Sequence, residues 1–358
     1  LFVTTIRGGN AMFENDGYGR FKDISAEAGL GYVGHSAGSL FFDYDNDGLL
    51  DLYLTNIGVF STDNVGPDGY YVGFTDAFDG HLKPERTENS ILYRNQGGNA
   101  FVDVSADMGI ENPRWSGDVA GIDGNNDGWM DLYVISMQGP DGYFENQQGQ
   151  GFVDKTDEVF PLTSWGAMGI QVFDFDNDGD QDIYTTDMHS DMAQQVKPLL
   201  SEEKRKARVN ASAYMDGDKS IFGNSFFRNE GDGTFTEVSD EINAENFWPW
   251  GLSSGDLNAD GFQDVFIASS MNYPWRYGIN SVLLNEAGGK FVDAEFVLGA
   301  EPRAGGEFAP WFELACGSKD KGHKDCPGDV NATSLTVYGA LGSRSSVIFD
   351  IEGDGDLD

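Results

Sequence analysis

The chain has 358 residues, and its 39% hydrophobic and 13% aromatic residues are enough to bury a core, which excludes a chain that is disordered throughout. Its formal net charge of −38 excludes electrostatic binding to nucleic acid as a main role and argues against docking on anionic membranes except through bridging cations. No apolar run approaches the roughly 20 residues of a membrane span, so we expect no membrane insertion.

The chain opens with strand and hairpin signals. Residues 1–5 form a β-like run, and Phe13-Glu-Asn15 is followed by a Gly-rich turn and by Phe21. Two short alternating segments around a Gly, Asn or Asp turn predict a β-hairpin. The same motif of Asn, turn and Phe recurs four more times, in residues 93–105, 144–156, 227–239 and 284–293.

Nine-residue acidic loops alternate with these hairpins. Each has side-chain oxygens at positions 1, 3, 5 and 9 and Gly at position 6. The five loops are loop 1 (Asp43, Asp45, Asp47, Asp51), loop 2 (Asp123, Asn125, Asp127, Asp131), loop 3 (Asp174, Asp176, Asp178, Asp182), loop 4 (Asp256, Asn258, Asp260, Asp264) and loop 5 (Asp350, Glu352, Asp354, Asp358).

This pattern predicts calcium ligands. Ca²⁺ takes six to eight oxygens, alternate residues of a tight loop point at one centre, and position 7 can add its backbone carbonyl. Gly at position 6 allows the chain to turn with positive φ. A solvated acidic turn is the alternative for one loop, because Asp, Asn and Gly favour turns. Five loops in register favour metal sites, and we expect about five Ca²⁺ ions.

Each loop lies between a strand of small and apolar residues and a β-rich run such as Leu52-Tyr-Leu-Thr55. One repeat is therefore strand, loop, strand, strand, turn, strand. Four antiparallel strands per repeat predict an all-β fold, a β-propeller of four-stranded blades. We expect one domain over residues 1–358, with insertions at about 58–88, 187–221 and 299–345.

The two ends of the chain match each other in pattern. Loop 5 ends the chain without a following strand, and residues 1–5 resemble that strand. We therefore expect the N-terminal strand to complete the last blade and close a ring. Completion of a neighbouring molecule's blade is the alternative, which would build a polymer by strand addition. Because the chain begins at Leu1 rather than Met, we expect a processed chain or part of a longer one.

Two cysteines, Cys316 and Cys326, lie in one polar segment. We expect a local disulfide rather than two free thiols, because loops this rich in calcium ligands suit an extracellular protein. Two sequons lie in the insertions and are candidate glycosylation sites, at Asn210 and Asn331.

Tryptophans recur just before the first strand of several repeats, at Trp115, Trp165 and Trp250. They are candidates for stacking sugars, and packing between blades is the alternative. The four histidines form no recognisable nucleophile or zinc arrangement, and pairing two of the abundant carboxylates as acid and base would be arbitrary. We expect no catalytic residues and no enzyme.

With these motifs, the chain resembles the FG-GAP/VCBS repeat superfamily, including the integrin α-subunit propeller and the cartilage acidic protein relatives. The resemblance implies a calcium-stabilised propeller that is secreted or lies on a cell surface. Family propellers often have seven blades, whereas five clear repeats favour five here. We expect a structural or adhesive role, with itself or an extracellular protein or glycan as partner. A calcium-dependent, lectin-like glycan-binding module is the alternative, and an enzyme on an acidic polysaccharide or phosphoester is the less favoured one.

Overall fold

The protein folds as a series of small antiparallel β-sheets that follow one another along the chain. The computed structural model describes residues 1–66, 71–188, 220–246, 249–269, 279–301, 309–321, 326, 334–339, 343–355 and 357. Four complete four-stranded antiparallel sheets are present in these residues, which confirms the predicted all-β, β-propeller-like architecture. No helix in the described part of the chain has the length and apolarity needed to cross a membrane.

An N-terminal sheet of three strands begins the chain. It contains β1 (Phe2–Val3), β2 (Ala11–Asn15) and β3 (Phe21–Asp23), in that spatial order, and a short helix α1 (Ser25–Ala28) follows it.

Blade 1 contains β4 (Ser36–Phe42), β5 (Asp51–Asn56), β8 (Ile91–Asn95) and β9 (Phe101–Asp103). The residues predicted as the first insertion separate β5 from β8. They form a small hairpin, β6 (Ser61–Val65) with β7 (Tyr71–Gly73), and two 3₁₀ helices, Ala77–Leu82 and Pro84–Arg86.

The next three blades repeat the same strand order. Blade 2 contains β10 (Ser116–Ile122), β11 (Asp131–Ser136), β12 (Gly142–Asn146) and β13 (Phe152–Asp154), followed by α2 (Thr156–Val159) and β14 (Thr163–Ser164). Blade 3 contains β15 (Ala167–Phe173), β16 (Asp182–Asp187), β18 (Ser225–Asn229) and β19 (Phe235–Glu237), and β17 (Ser220–Ile221) pairs with β14 in parallel. Blade 4 contains β20 (Pro249–Gly255), β21 (Asp264–Ser269), β22 (Ser281–Asn285) and β23 (Phe291–Asp293).

The hydrophobic core consists of layers between consecutive sheets. Tyr53 of blade 1 and Phe144 of blade 2 belong to one buried cluster, and Tyr184 of blade 3 shares another with Leu283 of blade 4. Because sheets cover both its faces, the second strand of a blade is buried along its whole length in β5, β11 and β16. Such strands have no solvent-exposed face, which explains the apolar run of β11, while β5 and β16 also bury polar residues such as Thr55 and Thr185.

The first strands of neighbouring blades approach closely, and each contains a one-residue bulge in its pairing with the second strand. A Cβ added at Gly169 of β15 would lie 2.8 Å from the carbonyl oxygen of Trp250 in β20. The small residues of these strands are therefore required by the contact between blades.

The C-terminal part contains one hairpin, β24 (Ala309–Leu314) with β25 (Leu335–Gly339). Cys316 and Cys326 form a disulfide with a Cα–Cα distance of 5.5 Å, as predicted. Residues 343–346 then lie against β20, where Gly251 N–H donates to Arg344 O over 2.9 Å. In the described residues β1 pairs only with β2, so closure of the ring by the N-terminal strand, and the number of blades, stay predictions.

Candidate metal centre

Each of loops 1 to 4 joins the first strand of a blade to its second strand. Its turn requires two residues with positive φ. In loop 3 they are Asn177 at position 4, with φ 58°, and Gly179 at position 6, with φ 100°. Asn tolerates this left-handed conformation better than most residues, and Gly adopts it freely. The other loops repeat this backbone, with positive φ at positions 4 and 6 in each.

The carboxylate at position 1 holds the turn together. In loop 1, Asp43 Oδ1 accepts a hydrogen bond from the N–H of Asp47 over 3.1 Å, and Asp43 Oδ2 accepts one from Gly48 over 2.8 Å. The equivalent pair of bonds is made by Asp123, Asp174, Asp256 and Asp350. The carboxylate at position 5 accepts the N–H of position 7 in loops 1 to 4, at 2.8 to 2.9 Å.

The carboxylate at position 9 begins the second strand and is at most 2% exposed in loops 1 to 4. In loop 3, Asp182 Oδ1 accepts the N–H of Asn229 and Asp182 Oδ2 accepts that of Phe175, both over 2.8 Å. Burial raises the pKa of Asp51 and Asp131 to about 6 and that of Asp182 to about 7, and it also raises the pKa of Asp264. A cation beside these groups would favour their charged form.

Positions 1, 3 and 9 converge on one centre in two of the loops. In each of these loops, one oxygen from each of three carboxylates lies within 4.8 Å of the others; the groups are Asp43, Asp45 and Asp51, and Asp174, Asp176 and Asp182. Loops 2 and 4 have Asn at position 3, and Asn125 and Asn258 contact the position-5 carboxylates of their own loops.

One carboxylate oxygen in each convergent group is buried without a hydrogen-bond donor. These are Oδ1 of Asp45 and Oδ1 of Asp176, both at position 3. Burial, and then the negative charges of Asp178 and Asp174, raise the pKa of Asp176. A buried carboxylate oxygen without a donor is costly, and a cation at the centre of the group would satisfy it. The residues therefore fit a hard cation that prefers oxygen ligands, such as Ca²⁺.

The hairpin of the following blade buries these two position-3 residues. A Cβ added at Gly149 of blade 2 would lie 3.0 Å from Asp45 Cα, and one added at Gly288 of blade 4 would lie 2.8 Å from Asp176 Cα. Each site is therefore formed by a loop of one blade and covered by the next blade.

The sequence prediction missed a set of asparagines that end the third strands. They are Asn95, Asn146, Asn229 and Asn285. The backbone N–H of each donates to the position-9 carboxylate of its own blade, at 2.7 to 2.8 Å. The side chains of the last three also donate to the position-2 carbonyl of the preceding loop. The fixed place of Asn in the hairpin motif was the available signal.

The remaining predicted residues have different outcomes. Loop 5 has the position-1 bonds of the other loops, but Asp358 lies outside the described residues, as do the sequons at Asn210 and Asn331.

Trp115 and Trp165 are 4% and 7% exposed. The 3₁₀ helix Ala77–Leu82 covers Trp115, and Trp165 packs against Phe222 with 5.6 Å between ring centroids. This burial corrects the prediction that these two rings stack sugars, because neither offers an exposed face. Trp250 is half-buried beneath Arg344, whose guanidinium lies 3.6 Å from the ring centroid. A stacking role for Trp250 stays a prediction.

Two regions of the chain, residues 123–185 and 211–267, match the family described as FG-GAP-like repeat. The chain contains FG-GAP-like repeats. The first region spans loop 2, strands β11 to β13 of blade 2, and then β15, loop 3 and most of β16 of blade 3, so the family match and the repeated geometry coincide. Cartilage acidic protein 1 of Mus musculus is 32% identical over 98 residues, which cover 26% of this chain and 15% of the mouse protein.

Two solved structures are similar to this chain at low TM-scores. One is an Agrocybe aegerita lectin that recognises non-reducing terminal N-acetylglucosamine, with TM-score 0.31, 16% identity, and coverage of 80% of this chain and 73% of the lectin. The other is the Bacillus licheniformis rhamnogalacturonan lyase, with TM-score 0.37, 14% identity, and coverage of 81% and 45%. At these scores neither carries an argument about function.

Proposed function

We propose that this chain is an extracellular, calcium-binding β-propeller-like protein with a structural or adhesive role, rather than an enzyme. The observation that carries the proposal is the pair of buried oxygens without donors, Oδ1 of Asp45 and Oδ1 of Asp176, each inside a group of three converging carboxylates. In a polar turn that binds no cation, carboxylate oxygens are normally exposed to water or accept a hydrogen bond from a protein donor.

The charge of the chain supports the same proposal. A net charge of −38 makes a compact state repel itself, and the loops concentrate carboxylates at the junctions between blades. Calcium at these junctions would offset that repulsion where one blade covers the loop of its neighbour. Asp45, Asp176 and the position-9 carboxylates would bind it, and its role would be to neutralise charge and hold loop and hairpin together.

An extracellular location is supported by two features. The Cys316–Cys326 disulfide persists in oxidising compartments, and calcium sites on short loops suit the higher calcium concentration outside cells. The mouse relative is named as an acidic protein of cartilage, and this chain shares the acidity.

Exposed apolar side chains support an adhesive or self-associating role. Phe21 of β3 is 52% exposed, Val297 is 88% exposed and Val347 is 70% exposed. Such side chains would be covered by a second copy or by another extracellular protein or glycan. Sedimentation velocity in millimolar calcium, repeated after chelation, tests this part: larger particles in calcium support assembly, and a monomer at all concentrations refutes self-association.

Calcium titration by calorimetry tests the metal sites. The wild type is expected to bind several calcium ions, and Asp176→Asn is expected to weaken one of them. Asp107→Asn is the matched control, because Asp107 is an exposed carboxylate outside the loops. A wild type that binds no calcium, or an Asp176→Asn isotherm that matches the Asp107→Asn isotherm, would refute the proposal.

A further inference from the structure

The asparagine at position 4 of each of the first three loops reaches out of its own loop to the next one. Asn46 Nδ2 donates to the carbonyl of Gly128 over 3.5 Å, and Asn177 Nδ2 donates to that of Gly261 over 2.9 Å. Asn126 Nδ2 donates to Oδ1 of Asp180 over 2.7 Å. Three successive junctions between loops therefore contain the same type of contact.

Each contact reaches position 6 or position 7 of the next loop, where a backbone N–H donates a hydrogen bond to the position-5 carboxylate. Gly128 O and the N–H of Trp129 belong to one peptide group. This N–H donates to Asp127 Oδ1 over 2.9 Å. The peptide of Gly261 and Phe262 connects Asn177 to Asp260 Oδ1 in the same way, also over 2.9 Å. In the remaining junction, Asp180 itself donates its N–H to Asp178 Oδ1.

Position 4 also lies between two candidate ligands of its own loop, at positions 3 and 5. A change in the geometry of one loop on binding a cation would therefore reach the position-5 carboxylate of the next loop. The path is the Asn side chain and one peptide in two junctions, and the side chains of Asn126 and Asp180 followed by the N–H of Asp180 in the third. Hydrogen bonds arranged in such a chain polarise one another, which is a physical route by which one loop can influence the next.

The fourth junction lacks this contact. Loop 4 has Ala259 at position 4, and loop 5 has Gly353 there. Ala259 adopts the same backbone conformation, with φ 57°, although Ala has no side-chain donor to favour it. The backbone of the turn is thus kept where the link to the next loop is absent.

We propose that Asn46, Asn126 and Asn177 are positioning residues that couple neighbouring metal sites, so that occupation of one loop tightens metal binding in the next, from loop 1 to loop 4. The proposal rests on the proposed function, because it requires the loops to bind metal. The alternative is that Asn stands at position 4 only because it tolerates positive φ.

Replacement by Gly separates these two explanations. Gly adopts positive φ without strain, so Asn126→Gly and Asn46→Gly keep the turn and remove only the amide that reaches the next loop. Asn99→Gly is the matched control. Asn99 also has positive φ, 63°, and its side chain also links two sheets by donating to Glu14, but it lies in a hairpin outside the metal loops.

Loop 2 contains its own reporter, Trp129 at position 7. Terbium is the probe, since it binds calcium sites and emits when a nearby tryptophan is excited. The ring of Trp129 lies beside Gly149, which also approaches Asp45 of loop 1. Trp129→Phe therefore identifies the emission that comes from loops 1 and 2, and Asp43→Asn with Asp45→Asn removes the share of loop 1. Loop 3 is then disabled with Asp174→Asn and Asp176→Asn. The terbium concentration at half-maximal emission is expected to rise on the order of 5-fold, the lower end of typical coupling between sites.

In the Asn126→Gly background the same disabling of loop 3 is expected to leave the half-maximal concentration unchanged, while the Asn99→Gly background keeps the 5-fold rise. Disabling loop 1 with Asp43→Asn and Asp45→Asn, with and without Asn46→Gly, repeats the test from the other side of loop 2. An equal rise with and without the asparagine, or no rise in any background, would overturn the coupling. Absence of both terbium emission and calcium binding in the wild type would instead refute the proposed function.

Discussion

Asn146 donates a side-chain hydrogen bond to the backbone carbonyl of Tyr44, which lies 2.8 Å away and 102 positions earlier in the chain. The same amide group donates to the carbonyl of Met130 in loop 2, and the backbone N–H of Asn146 donates to Asp131. One buried residue therefore joins loop 1 to loop 2.

Asn146→Ala is expected to lower the free energy of unfolding by roughly 1–3 kcal/mol, because it leaves the buried carbonyl of Tyr44 without this donor. Urea denaturation of the calcium-bound protein measures the change. Asn15→Ala is the control, since Asn15 ends the equivalent strand of the N-terminal sheet but is exposed. Equal losses for the two variants would contradict the role assigned to Asn146.

The sequence predicts the loops because their ligands lie within nine residues, and the hairpins because their turns are equally local. The role of Asn146 is not predictable in this way, since Tyr44 lies in another repeat. The burial of Trp115 is not predictable from the sequence for the same reason. Its ring is covered by the 3₁₀ helix Ala77–Leu82, and nothing in the sequence around Trp115 indicates where residues 58–88 fold.

Crowding between the first strands gives a second prediction. A Cβ at Gly169 would lie 2.8 Å from Trp250 O and 3.0 Å from Gly251 Cα, and backbone atoms cannot move aside as the end of a side chain can. Gly169→Ala is expected to destabilise the protein by roughly 1–3 kcal/mol, measured as the shift in the urea midpoint. Gly73→Ala in β7 is the control, because the nearest atom to its added Cβ is 3.9 Å away. A urea midpoint that shifts no more for Gly169→Ala than for Gly73→Ala would disprove the close contact between blades.

A buried carboxyl outside the metal loops predicts a dependence on pH. Asp141 is fully buried, and burial raises its pKa well above the usual value, although it accepts hydrogen bonds from Ser136 N–H and the Tyr133 hydroxyl. Because the folded-state pKa is raised, the folded protein holds a proton that the unfolded chain releases above about pH 4. The contribution of Asp141 to stability is therefore complete below that pH and is lost as the pH rises toward the folded-state pKa.

Asp141→Asn removes this titration while it keeps an acceptor and a donor at the site. Between about pH 4 and the folded-state pKa of Asp141, the wild type is expected to lose stability relative to the variant by about 1.4 kcal/mol per pH unit. Urea denaturation of both proteins at several pH values and constant calcium measures the difference. Two parallel stability curves would mean that Asp141 does not hold its proton in the folded state.

Removal of calcium is expected to destabilise the junctions between blades most strongly. A ligand that binds only the folded state adds about 2.7 kcal/mol per site when its free concentration is 100 times the dissociation constant. Chelation is therefore expected to lower the melting temperature, and hydrogen exchange is expected to rise first at Asn146 and Asn285, which join loops 1 and 3 to the following blades. The Cys316–Cys326 segment is the internal control, because its disulfide does not depend on calcium. Uniform protection with and without chelator would mean that the blades hold together without metal.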